Sequence, residues 1–460
     1  MDQEQAVTFP GATRTPSQAQ VGPLTLREWL VCAVAGVGFL FDTYEIVVQG
    51  LVVRPALLDM TGWEAGSPQF NRWVGWILYF PFLAGGIAGL LGGYLTDRFG
   101  RRQMLVASIV LYGVATAAAA YATSPAELLF WRCVTIVGVC TEWIAATAWI
   151  AELFDDRRRR DAALGFTQAM AGIGVFLVAV VYYLGVTYGH LLPAIQQSHS
   201  GWRYALLFGA LPVLPVLLAR LRLPESPRWL QLHASGALHR PAFRELFQPE
   251  LRRITIVSSM MVASIYGMAF GVILHLPRIV PGLDGVRDLP RMQQEQSISL
   301  VHLVGDIGSV IGRFALAFLA ITLLTRRQVW RAFLLPGMIL FPALFAVAPY
   351  VDVTVLAAGA LLAGIALNGQ LNFIGNYLPL VYPARLRGTG ESFAISVGGR
   401  IIGTSTSFIT PWLANFTPGD NASSKLAFAA AAMAVVACIL ALVTSQFLVE
   451  PKQAVAAEKT

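Results

Sequence analysis

Eight ionisable side chains lie deep inside apolar stretches of this chain: Asp42, Glu45, Glu142, Asp306, Arg132, Arg313, Arg400 and His302. A fixed charge at the centre of a bilayer costs about 2.5–3.5 kcal/mol. The four carboxylates and three arginines would together cost roughly 20 kcal/mol if they faced lipid, more than the typical stability of a fold, about 5–15 kcal/mol. They must therefore be paired, neutralised or turned to a water-filled cavity. The chemistry such groups offer is proton binding and charge recognition. No metal-ligand cluster, nucleophile elbow or nucleotide loop accompanies them, so an enzyme is not expected, and no cofactor is called for.

Asp42 and Glu45 stand three residues apart in "FLFDTYEIVVQG", on one face of a helix. Arg132 opens the apolar stretch 127–153 and can lie at the depth of Glu45. Together they can form a switch, in which protonating the acid frees the arginine, or a permanent ion pair. Glu142 lies near the middle of the same stretch, where it can carry a proton or serve as a buried neutral acid. His302, Asp306 and Arg313 recur at i, i+4 and i+11, within about 40° on a helix, one stripe that suits a second proton site, a gate or a structural ion pair. Asn368, Asn372 and Asn376 form a second stripe, which can bind substrate or join helices. Trp143 and Tyr266 can line a cavity or pack. Arg400, in "SVGGRIIG", lies nine residues into its stretch beside two glycines, where an anionic substrate is a natural counter-ion.

The elements that must position these groups are membrane spans. Of the 460 residues, 56% are hydrophobic and 13% charged, against about 25% charged in a soluble domain. With about 20 residues needed to cross, the hydropathy predicts twelve spans: 26–52, 71–95, 102–122, 127–153, 161–186, 202–222, 254–276, 297–324, 331–349, 353–378, 391–415 and 424–449. The first 25 residues lack the order of a cleaved signal and read as a disordered tail. The expected layout is 26–222 as a first six-helix bundle, 223–253 as a linker, 254–449 as a second bundle and 450–460 as a tail. The cysteines Cys32, Cys133, Cys140 and Cys438 all fall in spans and read as packing residues.

The net charge of +7 is a topology signal, not a nucleic-acid one. Placing the N-terminus inside puts nineteen basic residues in inner loops and seven in outer ones, which predicts both termini in the cytoplasm of a cell bounded by this membrane. The two halves also repeat. At an offset of 227, Arg158 falls on Arg385, Arg160 on Arg387, Phe166 on Phe393 and Gly172 on Gly399. Internal repeats with a site at their interface are a transporter architecture.

"GGYLTDRFGRR" (92–102), between the second and third spans, resembles the signature of the major facilitator superfamily, with Gly93, Asp97, Arg98, Gly100, Arg101 and Arg102 in place. "LTRRQVWR" (324–331), its second-half counterpart, keeps the arginines and lacks the acid. "PESPRWL" (224–230) is similar to the signature of the sugar-porter and organic-ion branch. Within it, "DTYE" in span 1 and "TEW" (141–143) resemble motifs of aromatic-acid, metabolite and phosphate:proton symporters, and Gln168 matches the same pattern. Span 7 lacks the amide pattern of hexose carriers. The resemblance implies an all-α membrane protein of two pseudo-symmetric six-helix bundles working by alternating access. It implies a monomeric proton symporter of a small organic anion, with a gating motif at residues 93–102. It also implies proton coupling through Asp42, Glu45, Arg132 and Glu142, and substrate contact through Gln168 and Arg400, to which Trp143, Tyr266, Asn368 and Asn372 are added as substrate-binding candidates on their place in the spans. Partners are then a small anion, protons and the lipid bilayer. A sugar or polyol facilitator and a transport-dead sensor are the competing readings.

Overall fold

The computed structural model describes residues 26–153, 157–211, 213–214, 218, 225–234, 243–322, 325–383 and 386–451. Gln168, Gly93 and Asp97 lie on described helices, but their side chains fall outside what is described. The tails at 1–25 and 452–460 and much of the linker also lie outside.

Spans 1 to 5 are helices Leu26–Thr61, Pro68–Phe99, Arg101–Ala120, Pro125–Leu153 and Arg157–Tyr188. Span 6 opens with Gly201–Ala210, and span 7 is Arg252–Gly271 followed by further helical turns to Gly282. Spans 8, 9, 10 and 12 are Arg291–Thr322, Arg326–Val347, Val353–Val381 and Ala422–Phe447. Ten of these helices are long and apolar enough to cross a bilayer. The remaining two positions are span 6 and span 11. Span 11 is built from Arg387–Phe393, a π-helical segment Ala394–Ile402, a 3-10 turn Gly403–Ser405 and Thr406–Leu413.

The packing repeats with a period of six spans. Span 2 packs on 4 as 8 packs on 10, span 1 on 5 as 7 on 11, and span 3 on 6 as 9 on 12. The halves meet where span 5 touches 8 and span 2 touches 11, contacts that the same symmetry exchanges. Apolar side chains such as Phe314, Phe318 and Ile339 stay exposed on the outside of the bundle, as helices solvated by lipid require.

Without a hydrophobic drive between helices in lipid, close backbone approach matters more. Spans 8 and 10 supply it with small residues. A Cβ on Gly308 would run into the Leu361 carbonyl, and one on Gly364 into the Gly305 carbonyl. Neither neighbour is a flexible side-chain tip. Gly308→Ala is therefore expected to destabilise the fold by about 1–3 kcal/mol, the usual cost of overpacking, read as a lower thermal unfolding midpoint in detergent.

Several helices outrun their sequence-based limits. Span 1 continues past 52, through Arg54 and Pro55, to Thr61. Span 8 starts at Arg291 rather than 297, and span 7 carries on beyond 276 through Arg278. Charge ended each apolar window, but in the fold these charges stay helical because each finds a partner across the bundle, as described below.

Candidate functional site

Glu45 and Arg132 meet. Nη1 of Arg132 donates to Oε2 of Glu45 at 2.6 Å, and Nη2 donates to the Glu45 carbonyl at 2.5 Å. Both residues have no exposed surface. Gln49, one turn beyond Glu45, completes the cluster: its Oε1 accepts from Arg132 Nη2 at 3.4 Å, while its own amide donates to the Ile77 carbonyl of span 2. Span 6 closes the other side, where Gly209 leaves room for the Glu45 carboxylate that no Cβ would allow. Tyr44 ties span 1 to span 6 through a 2.8 Å hydrogen bond from its hydroxyl to the Ala205 carbonyl. Gln49 and Gly209 drew no notice in the sequence. The amide at i+4 from Glu45 was the available signal.

Asp42 and Glu142 are wholly buried. Cys140 of span 4 has both Asp42 and Arg400 as charged neighbours, which brings a first-half acid and the second-half cation into one neighbourhood. Trp143 packs its ring 4.5 Å from Phe39, on the first half's core.

Arg400 sits in the π-helical segment and is 8% exposed. Such segments are rare and recur at functional sites because the extra residue per turn re-aims side chains. Its guanidinium lies against span 2, with Nη1 2.9 Å from where a Cβ on Gly89 would stand, and Gly86 takes its stem. Among the described residues no carboxylate pairs with it. The neighbouring glycines could admit either another helix or a ligand, and the structure shows the first. Gly398 is filled by the backbone of Ser259 and Gly399 by the ring of Tyr266, so they admit span 7, not a ligand. Tyr266 in turn stacks on Phe270, 5.6 Å between centroids, and Phe270 meets Phe82 of span 2 at 4.5 Å. An aromatic row thus runs from beside Arg400 across both halves.

The polar stripes divide. His302 Nδ1 and Asp306 Oδ2 are 3.3 Å apart, and Arg313 crosses to the first half, its Nη1 against Gly172 of span 5. Asn368 donates to Ser309 of span 8 at 2.7 Å, and Asn376 accepts from Arg326 of span 9 at 2.7 Å, so both join helices. Asn372 donates back to the Asn368 carbonyl at 2.8 Å.

In the stretch 92–102, Gly100 adopts φ 96°, the left-handed turn that glycine permits, and links spans 2 and 3. Arg101 is buried, pairs with Glu152 at 2.8 Å and donates to the Thr96 carbonyl. Arg98 is exposed against Tyr94 and the Phe99 ring. The start of span 3 is capped by Glu225, which accepts from the backbone of Arg101 at 3.0 Å and Arg102 at 3.1 Å. The second half repeats this. Glu450 accepts from the backbone of Arg326 and Arg327, each at 3.1 Å, at the start of span 9. The acid absent from "LTRRQVWR" at the position matching Asp97 stays absent, but a helix-capping acid arrives from the far end of the chain. Glu450→Ala is expected to cost about 0.5–2 kcal/mol, the usual loss of a helix cap, in thermal unfolding, while ligand affinity is unchanged.

The fold, the repeat and this site agree with one further finding: residues 34–404 match the family described as Major Facilitator Superfamily. The chain belongs to the major facilitator superfamily. Members of the superfamily similar to it include a 4-hydroxybenzoate transporter of Pseudomonas aeruginosa, 26% identical over 86% of this chain and 89% of that one. A niacin transporter of Acinetobacter baylyi is 22% identical over 82% of this chain and 85% of its own. Among solved structures, a D-xylose-proton symporter superposes with a TM-score of 0.71 at 20% identity, covering 92% of this chain and 98% of that one, which establishes the shared fold. The chain is a multi-pass membrane transporter and not an enzyme.

Proposed function

We propose that this transporter couples the uptake of a small aromatic carboxylate to protons by alternating access. The observation that carries this is Arg400, a buried cation without a described carboxylate partner, in the same neighbourhood as Asp42 and beside a row of aromatic rings. A planar carboxylate would take the guanidinium fork, and its ring would lie along Tyr266 and Phe270. The acid side of the device is Asp42, Glu45 and Glu142, with Arg132 as the partner freed when Glu45 is protonated. Loading an anion at Arg400 and a proton at an acid leaves the net charge of the cavity unchanged, so each loading favours the other by linkage. The names of the similar proteins, for 4-hydroxybenzoate and niacin, support the substrate class. The His302–Asp306–Arg313 stripe would serve as a gate between spans 8 and 5. The basic-residue bias supports both termini in the cytoplasm and residence in the inner membrane.

Titrating purified protein with 4-hydroxybenzoate, nicotinate and D-xylose by calorimetry at two pH values tests this. The proposal expects a carboxylate to bind more tightly at the lower pH, with no binding of xylose. Binding of xylose alone, unaffected by pH, would support the facilitator reading instead.

A further inference from the structure

The face of the bundle away from the termini is shut by polar contacts between the halves. Arg54 of span 1 pairs with Glu295 of span 8 at 2.6 Å, and Tyr182 of span 5 donates to the same carboxylate at 2.7 Å. Arg291 of span 8 pairs with Asp59 of span 1 at 2.5 Å. Among the described residues these are the ion pairs that join the halves, and both lie on this face. A third cation stands in the same seam without an acid. Arg278, in the extension of span 7 beyond Gly271, is 6% exposed. Its Nη2 donates to Asn71 of span 2 at 2.7 Å, its Nη1 to His275 Nδ1 at 3.3 Å, and its guanidinium lies 5.7 Å from the Phe70 ring. All these partners are neutral, and the charge acting on it is that of another arginine, Arg54.

Because arginine only donates, His275 must accept at Nδ1 and carry its proton on Nε2. That Nε2 and the Arg278 Nε are both buried without an acceptor. Two orphaned donors and an unneutralised charge, one helical turn apart, define a site short of one anion. Arg54 and Arg291 find their carboxylates by closing the seam. Asn71 belongs to the other half, so it withdraws when the seam opens and leaves the guanidinium fork free.

We propose that Arg278 and His275 form a first-contact site for the carboxylate of the incoming substrate. It fills when this face opens, about three helical turns, roughly 18 Å, from Tyr266 at the central site. This rests on the anion reading above. The closed seam holds Arg278 at a cost, and an anion that binds only the open seam shifts the population toward it.

The test measures initial uptake of 4-hydroxybenzoate and nicotinate into proteoliposomes for the parent, Arg278→Gln, Arg278→Lys and Asn71→Ala. Arg278→Gln is expected to raise KM about tenfold or more and to flatten its dependence on ionic strength, because steering by a charge is screened by salt. Equilibrium affinity at the central site should be unchanged, and that measurement also shows that the variant is folded. Arg278→Lys should keep the salt dependence with a smaller rise in KM, and it decides the matter if the glutamine variant does not fold. Asn71→Ala breaks the same contact between halves without removing the charge and should leave KM near the parent value. If Asn71→Ala reproduces the effect, or if Arg278→Gln stays within about twofold of the parent, the residue only closes the seam and the site is rejected while the central reading stands. A parent that takes up neither acid overturns the central reading, and this one with it.

Discussion

Arg400→Ala is expected to weaken the binding of an aromatic carboxylate by roughly two or more orders of magnitude, because a desolvated, charge-assisted contact is the strong kind and its loss strands the partner. The side chain leaves from a π-helical turn, lies across Gly89 and has no described carboxylate to neutralise it. Arg400→Lys should recover only part of the affinity, since an ammonium offers a point charge without the fork. Removing the side chain is not expected to unfold the protein, because the segment is held by contacts that do not involve it. Span 7 fills Gly398 and Gly399, and Thr404 and Ser407 bond to carbonyls within span 11. Calorimetry on both variants at two pH values reads the result. Binding by Arg400→Ala within about threefold of the parent would contradict the anion site.

Glu45→Gln is expected to abolish accumulation driven by a proton gradient while exchange of substrate across the membrane persists. The amide keeps the shape and one acceptor oxygen, and the second hydrogen bond from Arg132 goes to the Glu45 backbone carbonyl, which the substitution leaves in place. What it removes is the group that can exchange a proton for the guanidinium. Glu45→Gln and Arg132→Ala each strand a buried charge and should lower the thermal midpoint, and Arg132→Ala, which also removes the hydrogen bonds to the Glu45 carbonyl and Gln49, should lower substrate exchange as well. Arg132→Ala leaves a buried carboxylate unpaired, a loss of about 3–5 kcal/mol. The double variant Glu45→Gln/Arg132→Gln should recover much of that stability without recovering coupling. If Glu45→Gln still accumulates substrate to the parent level, the proton is carried elsewhere, and Asp42→Asn and Glu142→Gln are the variants to measure next.

The first of these outcomes separates a charge-recognition device from a structural arginine, and the second separates a proton switch from a fixed ion pair. Neither distinction follows from burial alone. Both follow from what surrounds the charge: no described carboxylate beside Arg400, and a carboxylate paired through one oxygen beside Arg132.

The amino-acid sequence by itself determined the class of the protein, the number and order of its spans, the repeat, and the short roster of buried charges. Those properties are local. A run of about 20 apolar residues must be a helix in lipid, and a charge within it must be explained. The pairing of Glu45 with Arg132 was also within reach, since depth along two helices can be counted from their ends. Only the tertiary structure decided which charges meet partners in the other half. Arg54, Arg278 and Arg291 each lie just outside the span limits that hydropathy sets, because hydropathy registers that a charge is present but not that a partner waits on another helix. Glu295 and Asp59 meet their arginines only after spans 1 and 8 are brought together, 241 residues apart in the first pair. Glu450 caps span 9 from 124 residues away. The π-helical turn at Arg400 was equally hidden, because one extra residue in a turn alters no local pattern of apolar side chains and is stabilised only by the packing of span 7 against Gly398 and Gly399.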